Sequence, residues 1–186
     1  GYYMDKKDYK SMIHTKEKNL EQPIREPGPI FRFFRERMLL ITISPLIILL
    51  DQISKWLVRS NLELGEVWTP WPWLNPFARV VHWYNTGVAF GFFQDQNLLF
   101  SILSAGIAIG IIIFYPHLSS AERVLRFALA MQFGGAIGDL IDRLTIGHVT
   151  DFLSVGNFAV FNVADSAISI GVVIMLITIF LQDIRE

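Results

Sequence analysis

NLLFSILSAGIAIGIIIFY, residues 97–115, contains no charged side chain. Crossing the hydrocarbon core of a bilayer as a helix takes roughly 20 apolar residues. This stretch therefore predicts a transmembrane helix, and the rest of the chain is read outward from it. Met38 to Val58 is a second span, with Pro45 inside it and Asp51 and Lys55 near its end. Phe161 to Leu181 is a third, with Asp165 near its start. The weakest candidate is Val124 to Leu144, which holds Arg126, Gln132, Asp139, Asp142 and Arg143 around an apolar middle. It is accepted because an even number of spans fits the charge distribution. The expected fold is an all-α membrane protein with four transmembrane helices.

Composition supports this. Of 186 residues, 52% are hydrophobic and only 18% charged, with a mean hydropathy of +0.41. A soluble domain carries about 25% charged residues. The charges are also segregated, with nine Lys or Arg in residues 1–37. Two regions follow: a basic segment, 1–37, and a four-helix membrane domain, 38–186. Residues 1–30 read as solvated, partly disordered or tag-derived. The first span is too long for a signal-peptide core and leads into DQISK rather than a small-residue cleavage site, so it is read as retained. No internal repeat is visible.

Several functions are excluded or disfavoured. A net charge of −1 gives no case for nucleic-acid binding. The chain has no cysteine, so a thiolate metal site or a cysteine nucleophile is impossible. Four scattered histidines, His14, His82, His117 and His148, lack metal-binding spacing. No metal and no cofactor are expected, and the chain is read as a monomer among membrane lipids.

Basic residues mark the cytoplasmic side. The nine before the first span, Arg123 and Arg126 in the second connection, and Arg185 in the tail place both termini in the cytoplasm. Residues 59–96 and 145–160 then face outward. The first of these loops holds four of the five tryptophans, Trp68, Trp71, Trp73 and Trp83. Tryptophan is enriched at the membrane–water interface. Ala78-Arg-Val-Val-His-Trp-Tyr84 reads as a short strand, so a small β-rich element is expected on the outer surface.

Charges at membrane depth cost several kcal/mol and persist where they pair, line a wet cavity or do chemistry. The predicted topology brings Asp51, Asp139, Asp142, Asp151 and Asp165 to one face of the membrane. Asp51 and Lys55, four apart, can form a helical ion pair of structural value. Asp142 and Arg143 are sequence neighbours that point apart on a helix, so each needs a partner elsewhere. Gly134, Gly135 and Gly138 favour close helix packing over phosphate binding. Asp151 and Asp165 flank the point where the chain leaves and re-enters the membrane. By residues alone they are a catalytic pair, solvated interface aspartates, or part of a proton or ion path. A membrane adaptor working through the tryptophan-rich loop is a further alternative.

Five blocks in order sharpen this. They are Asp51-Gln-Ile-Ser-Lys55, Asn85-Thr-Gly-Val-Ala-Phe90, Gly134-Gly-Ala-Ile-Gly-Asp-Leu-Ile-Asp-Arg143, Gly147-His-Val-Thr-Asp151-Phe and Phe161-Asn-Val-Ala-Asp165-Ser166. With them residues 38–182 resemble the lipoprotein signal peptidase family, also called signal peptidase II. The resemblance implies an aspartic endopeptidase that cuts diacylglyceryl-modified prolipoproteins just before the lipidated cysteine. It implies Asp151 and Asp165 as the catalytic pair and Asn85, Asp142, Arg143, Asn162 and Ala164 at the substrate site. Asp51, Lys55, Gly87 and Gly135 take structural roles. One position departs from the pattern: the family usually has Asn where this chain has Asp139. That extra carboxylate could disturb local charge or pair with Arg143.

Overall fold

The structure is a computed structural model that describes residues 5, 7, 10–12, 28–85, 97–119 and 121–184. Residues 86–96, Gly87 among them, and most of residues 1–27 lie outside the described residues, as do the expectations made for them. The chain divides into two compact units, 1–34 and 35–186. The second carries the four spans, the sheet and the candidate site.

Among the described residues, four helices are long and apolar enough to cross a membrane. Helix α1 is Pro29–Asn61, with residues Arg37–Asn61 forming its span; α2 is Asn97–Phe114; α3 is Arg123–Thr145; and α4 is Val163–Asp183. A single 3₁₀ turn, Tyr115–His117, extends α2. The span predicted with most polar residues, α3, is the most buried. Interior positions make up 61% of its span window, against 22%, 22% and 17% for α1, α2 and α4. Its polar residues therefore face protein, and the other helices put apolar side chains such as Leu50, Ile113 and Phe180 on the outside. Polar groups survive in a span only where protein satisfies them.

Glycine lets these helices meet backbone to backbone. A Cβ at Gly134 would lie 3.0 Å from Ile47 Cβ and the Ser44 carbonyl oxygen of α1. At Gly135 it would lie 2.5 Å from the Ala164 carbonyl oxygen of α4. Small residues at such crossings permit the close packing that drives association in lipid, where apolar burial gives no advantage. Ser44 adds a buried hydrogen bond from its hydroxyl to the Ala130 carbonyl, 2.8 Å.

A three-stranded antiparallel sheet caps one end of the bundle. Strands β1 (Val67–Trp68) and β2 (Ala78–Asn85) come from the first long connection. The expected strand at Ala78–Tyr84 is thus present. The sheet also recruits β3 (Val149–Val155) from the connection between α3 and α4, a segment for which the sequence predicts only a loop. β2 and β3 pair from Ala78↔Val155 to Asn85↔Val149, with a bulge between Val80 and Trp83. The bulge puts consecutive Val81 and His82 into the interior and leaves Trp83 exposed. It also brings Trp83 opposite Asp151, and so sets where Asp151 lies.

Candidate active site

The carboxylates gather where the sheet meets the helix ends, and α1 supplies the foundation. Lys55 is fully buried, with its ammonium 2.8 Å from Asp51, 3.0 Å from Asp139 and 3.5 Å from Asp142. Such a group is tolerable only because it is paired on several sides. Asp51 accepts the Ala164 backbone N–H at 3.0 Å, one of the otherwise unpaired donors at the start of α4. A carboxylate is favourable there, at the positive end of the helix dipole. Gly138 faces Asp51 Oδ2, where a Cβ would come within 2.7 Å.

Asp142 and Arg143 diverge, as expected of helix neighbours. Asp142 accepts the Thr150 backbone N–H at 3.0 Å, tying β3 to α3, and lies 3.4 Å from Arg59 Nη1. Arg59 also donates to Thr150 Oγ1 at 3.0 Å. Arg143 turns the other way, its Nη1 3.4 Å from Asn97 Oδ1 and its guanidinium 5.2 Å from the Phe100 ring centre. Asp139 pairs with Lys55, not with Arg143, which corrects one of the two outcomes expected for it. Asp139 and Arg143 are four apart and share a helix face, but the Arg143 guanidinium is turned toward Asn97 and Phe100 of α2, while Lys55 reaches Asp139 from α1.

Asn162 is the centre of the site. Fully buried, it caps α4: its side-chain oxygen accepts the Asp165 N–H at 2.8 Å, and its own N–H donates to Asp165 Oδ2 at 3.3 Å. This is a capping box with Asp in the acidic position. The Asn162 amide Nδ2 then donates to Asp151 Oδ1 at 2.8 Å and to Asp139 Oδ1 at 3.3 Å. One residue thus touches three carboxyl groups, on α3, β3 and α4. Asp151 receives a second amide, from Asn85 Nδ2 to its Oδ2 at 2.8 Å. Burial pushes the Asp151 carboxyl up to about 6; the two amide hydrogen bonds oppose that rise, and the nearby Asp139 charge adds to it.

A cavity of about 670 Å³ opens beside this cluster. Asn85, Asp139, Arg143 and Asp165 supply its polar wall, and Phe100, Leu103, Ile107, Phe161 and Ile168 much of its apolar wall. Arg143 Nε is buried without a hydrogen-bond partner among the described residues. Of the residues singled out in the sequence, Asp142, Asp151, Asn162 and Ala164 do not line the cavity. Asp151 and Asn162 stand directly behind its wall, in contact with Asn85, Asp139 and Asp165. Ala164 packs against Gly135 and Gly138. Sequence reasoning missed Gln52, whose amide donates to the Gly138 carbonyl at 3.0 Å, and also Arg59 and Asn97. The first two lie in or just after the DQISK block, one helical turn or less from Lys55, and that spacing was the available signal.

A multi-pass membrane enzyme of the aspartic-peptidase type is the class that these helices and converging carboxyl groups describe. Comparison with known proteins agrees. Residues 43–181 match the family model for signal peptidase (SPase) II. The chain is 40% identical over 153 residues to a lipoprotein signal peptidase of Halalkalibacterium halodurans, covering 80% of this chain and 94% of that relative. It is 36% identical over 149 residues to the one from Bacillus subtilis, covering 78% and 95%. A bacterial membrane enzyme solved by the in meso method at 2.3 Å resolution superposes with a TM-score of 0.74 at 26% identity, over 79% of this chain and 90% of that one. The chain belongs to the signal peptidase II family. It is an aspartic-type endopeptidase, and the ion-relay alternative is not favoured.

Proposed function

We propose that Asp151 and Asp165 are the catalytic pair and that the chain cleaves diacylglyceryl-modified prolipoproteins just before the lipidated cysteine. The observation that carries this reading is Asn162, which hydrogen-bonds both carboxyl groups at the wall of a cavity rich in apolar side chains. Two carboxyl groups held close share one proton, because both cannot ionise cheaply. The ionised member takes a proton from water, which attacks the scissile carbonyl. The protonated member polarises that carbonyl and then protonates the leaving amine. The unpartnered Nε of Arg143 is a donor available to the peptide backbone or to developing negative charge, and Asn85 lines the cavity beside it. Asp142 supports the site indirectly, by holding β3 and hence Asp151.

The substrate arrives as a lipid-anchored chain, so a cavity among spans lets the acyl groups stay in the bilayer. With the basic segment cytoplasmic, the sheet end faces the outer leaflet of a bacterial cytoplasmic membrane, and both termini lie inside. The enzyme works as a monomer, with no metal or cofactor.

The test is cleavage of a lipidated precursor peptide in detergent micelles. Asp151→Asn and Asp165→Asn should each reduce kcat by at least about 10³-fold, and the double variant should be little worse, because residues acting as a unit are non-additive. EDTA should leave the rate unchanged. Wild-type kcat should follow a bell-shaped pH profile whose limbs belong to the pair. Substantial activity in either single variant sinks the assignment.

A further inference from the structure

Lys55 and Arg59 are the cations that α1 brings to the carboxylate knot, and Asp51, Asp139 and Asp142 are the anions around them. Three carboxylates share these two cations, and Arg143 faces Asp139 from its own helix while also facing Asp151 and Asp165. Asp142 and Asp51 lie away from the cavity, whereas Asp139 is part of its wall beside Asp165. Asp139 also shares the Asn162 amide with Asp151, at 3.3 Å and 2.8 Å.

We propose that Asp139 is a positioning residue for the reaction: a third carboxylate that holds the Asn162 amide on Asp151 and whose charge at the cavity wall sets the pH range in which the Asp151–Asp165 pair works. This rests on the catalytic assignment made above. Asp139 acts through two routes. Its Oδ1 accepts from Lys55 and from Asn162, so it pins the amide that orients Asp151. Its negative charge makes removal of a proton from the neighbouring pair harder, which moves both limbs of the pH profile upward. The charged groups that face it among the described residues are Asp51, Lys55 and, through Asp142, Arg59 of α1; Asp142 and Arg143 of its own helix; Asp151 of β3; and Asp165 of α4. Lys55 and Arg143 attenuate the effect without cancelling it, because Lys55 is shared with Asp51 and Asp142 and Arg143 with Asp142, Asp151 and Asp165. The upward push on Asp151 from the Asp139 charge agrees in sign.

The experiment uses the purified full chain, a lipidated precursor peptide, and kcat and KM measured from about pH 4 to pH 9, to either side of the raised Asp151 carboxyl at about 6. Asp139→Asn keeps the acceptor oxygen and removes the charge. Both limbs of its kcat profile should move to lower pH by about one unit, the scale of one charge at about 6 Å that its cationic neighbours partly screen. Asp139→Ala removes the acceptor as well, and its maximal kcat should fall a further 10-fold or so, with KM changed less. Asp139→Ser, also neutral, should shift the limbs in the same direction and carries the test if Asp139→Asn does not fold. Unmoved limbs in a folded neutral variant overturn the proposal. So does failure of both neutral variants to fold, since Asp139 would then be scaffold alone. Inactive Asp151 and Asp165 variants with unmoved Asp139 limbs refute this inference only, whereas active Asp151 or Asp165 variants refute the catalytic assignment beneath it.

Discussion

Asn162 joins two demands in one side chain: it ends the loop before α4 by capping the helix, and it orients Asp151. A capping Asn is usually a stability device worth about 1 kcal/mol. Here the helix start and the candidate site cannot be varied separately, because the acidic partner in the capping box is Asp165 itself. Asp151 illustrates the cost of such a site. Its carboxyl is raised from an ordinary 3.8 to about 6 by burial. A group whose folded value is raised holds its proton more tightly in the native state. The native state is therefore favoured below pH 3.8, and that advantage is lost as pH rises through about 6. Above that range the buried charge costs on the order of 3 kcal/mol. Asp151→Asn has no charge to bury, so its thermal midpoint relative to wild type should rise between pH 4 and pH 7.5, about the span of that loss. Parallel melts of the two proteins check this; midpoints that stay parallel across the range would contradict it. The variant would then be no less stable at neutral pH and inactive, as expected where function is kept at the expense of stability.

Among the elements, α3 is the one on which the others depend. It packs against α1 through Gly134 and Gly138 and against α4 through Gly135, and it carries Asp139, Asp142 and Arg143 to three different partners. Gly135→Ala places a Cβ 2.5 Å from a backbone carbonyl oxygen and 2.7 Å from Ile168 Cγ1. Backbone cannot yield as a flexible side chain can, so α3 and α4 must separate, at a cost of about 1–3 kcal/mol. The separation would also carry Asp165 away from the rest of the cluster. Gly135→Ala should lower both the thermal midpoint and kcat. Gly110→Ala in α2, where a Cβ meets nothing within 4 Å, should change neither by much. Equal effects at the two sites would show that helix propensity rather than packing governs them.

At the scale of the whole molecule, the sheet stitches together two connections that the chain separates by two spans. β2 follows α1, β3 follows α3, and their pairing brings Asn85 to Asp151. Both connections must therefore emerge on one side of the membrane, and the link between α2 and α3 on the other. The absence of cysteine makes this directly measurable. Single cysteines at Ser119, between α2 and α3, and at Asn157, between β3 and α4, are both at exposed positions. In intact cells an impermeant thiol reagent should label Asn157→Cys and leave Ser119→Cys unlabelled until the membrane is opened. Labelling of both from outside would rule out the four-span arrangement.

How much of this was legible in the chain depends on the range of the physics involved. Spans are local: about 20 apolar residues are enough to choose the bilayer, and all four were read within a few residues of their observed ends. The strand at Ala78–Tyr84 and the ion-pair spacing of Asp51 and Lys55 are equally local, and so is the convergence of five aspartates on one face once the spans are placed. β3 was missed because VTDFLSV is short and adjoins a helix, and a strand needs a partner that only the folded chain supplies. Its partner, Asn85, comes from the far side of α2 and α3 in sequence. Likewise nothing at position 139 says whether Lys55 or Arg143 will pair with it. Helix spacing constrains which residues share a face of one helix, but not how deeply a neighbouring helix sets its lysine. The sequence by itself determined the membrane, the number of crossings, the family and the acids in play. The tertiary structure alone decided that Asn162 holds Asp139, Asp151 and Asp165 together, because hydrogen-bond partners depend on ångström-scale distances between segments far apart in the chain.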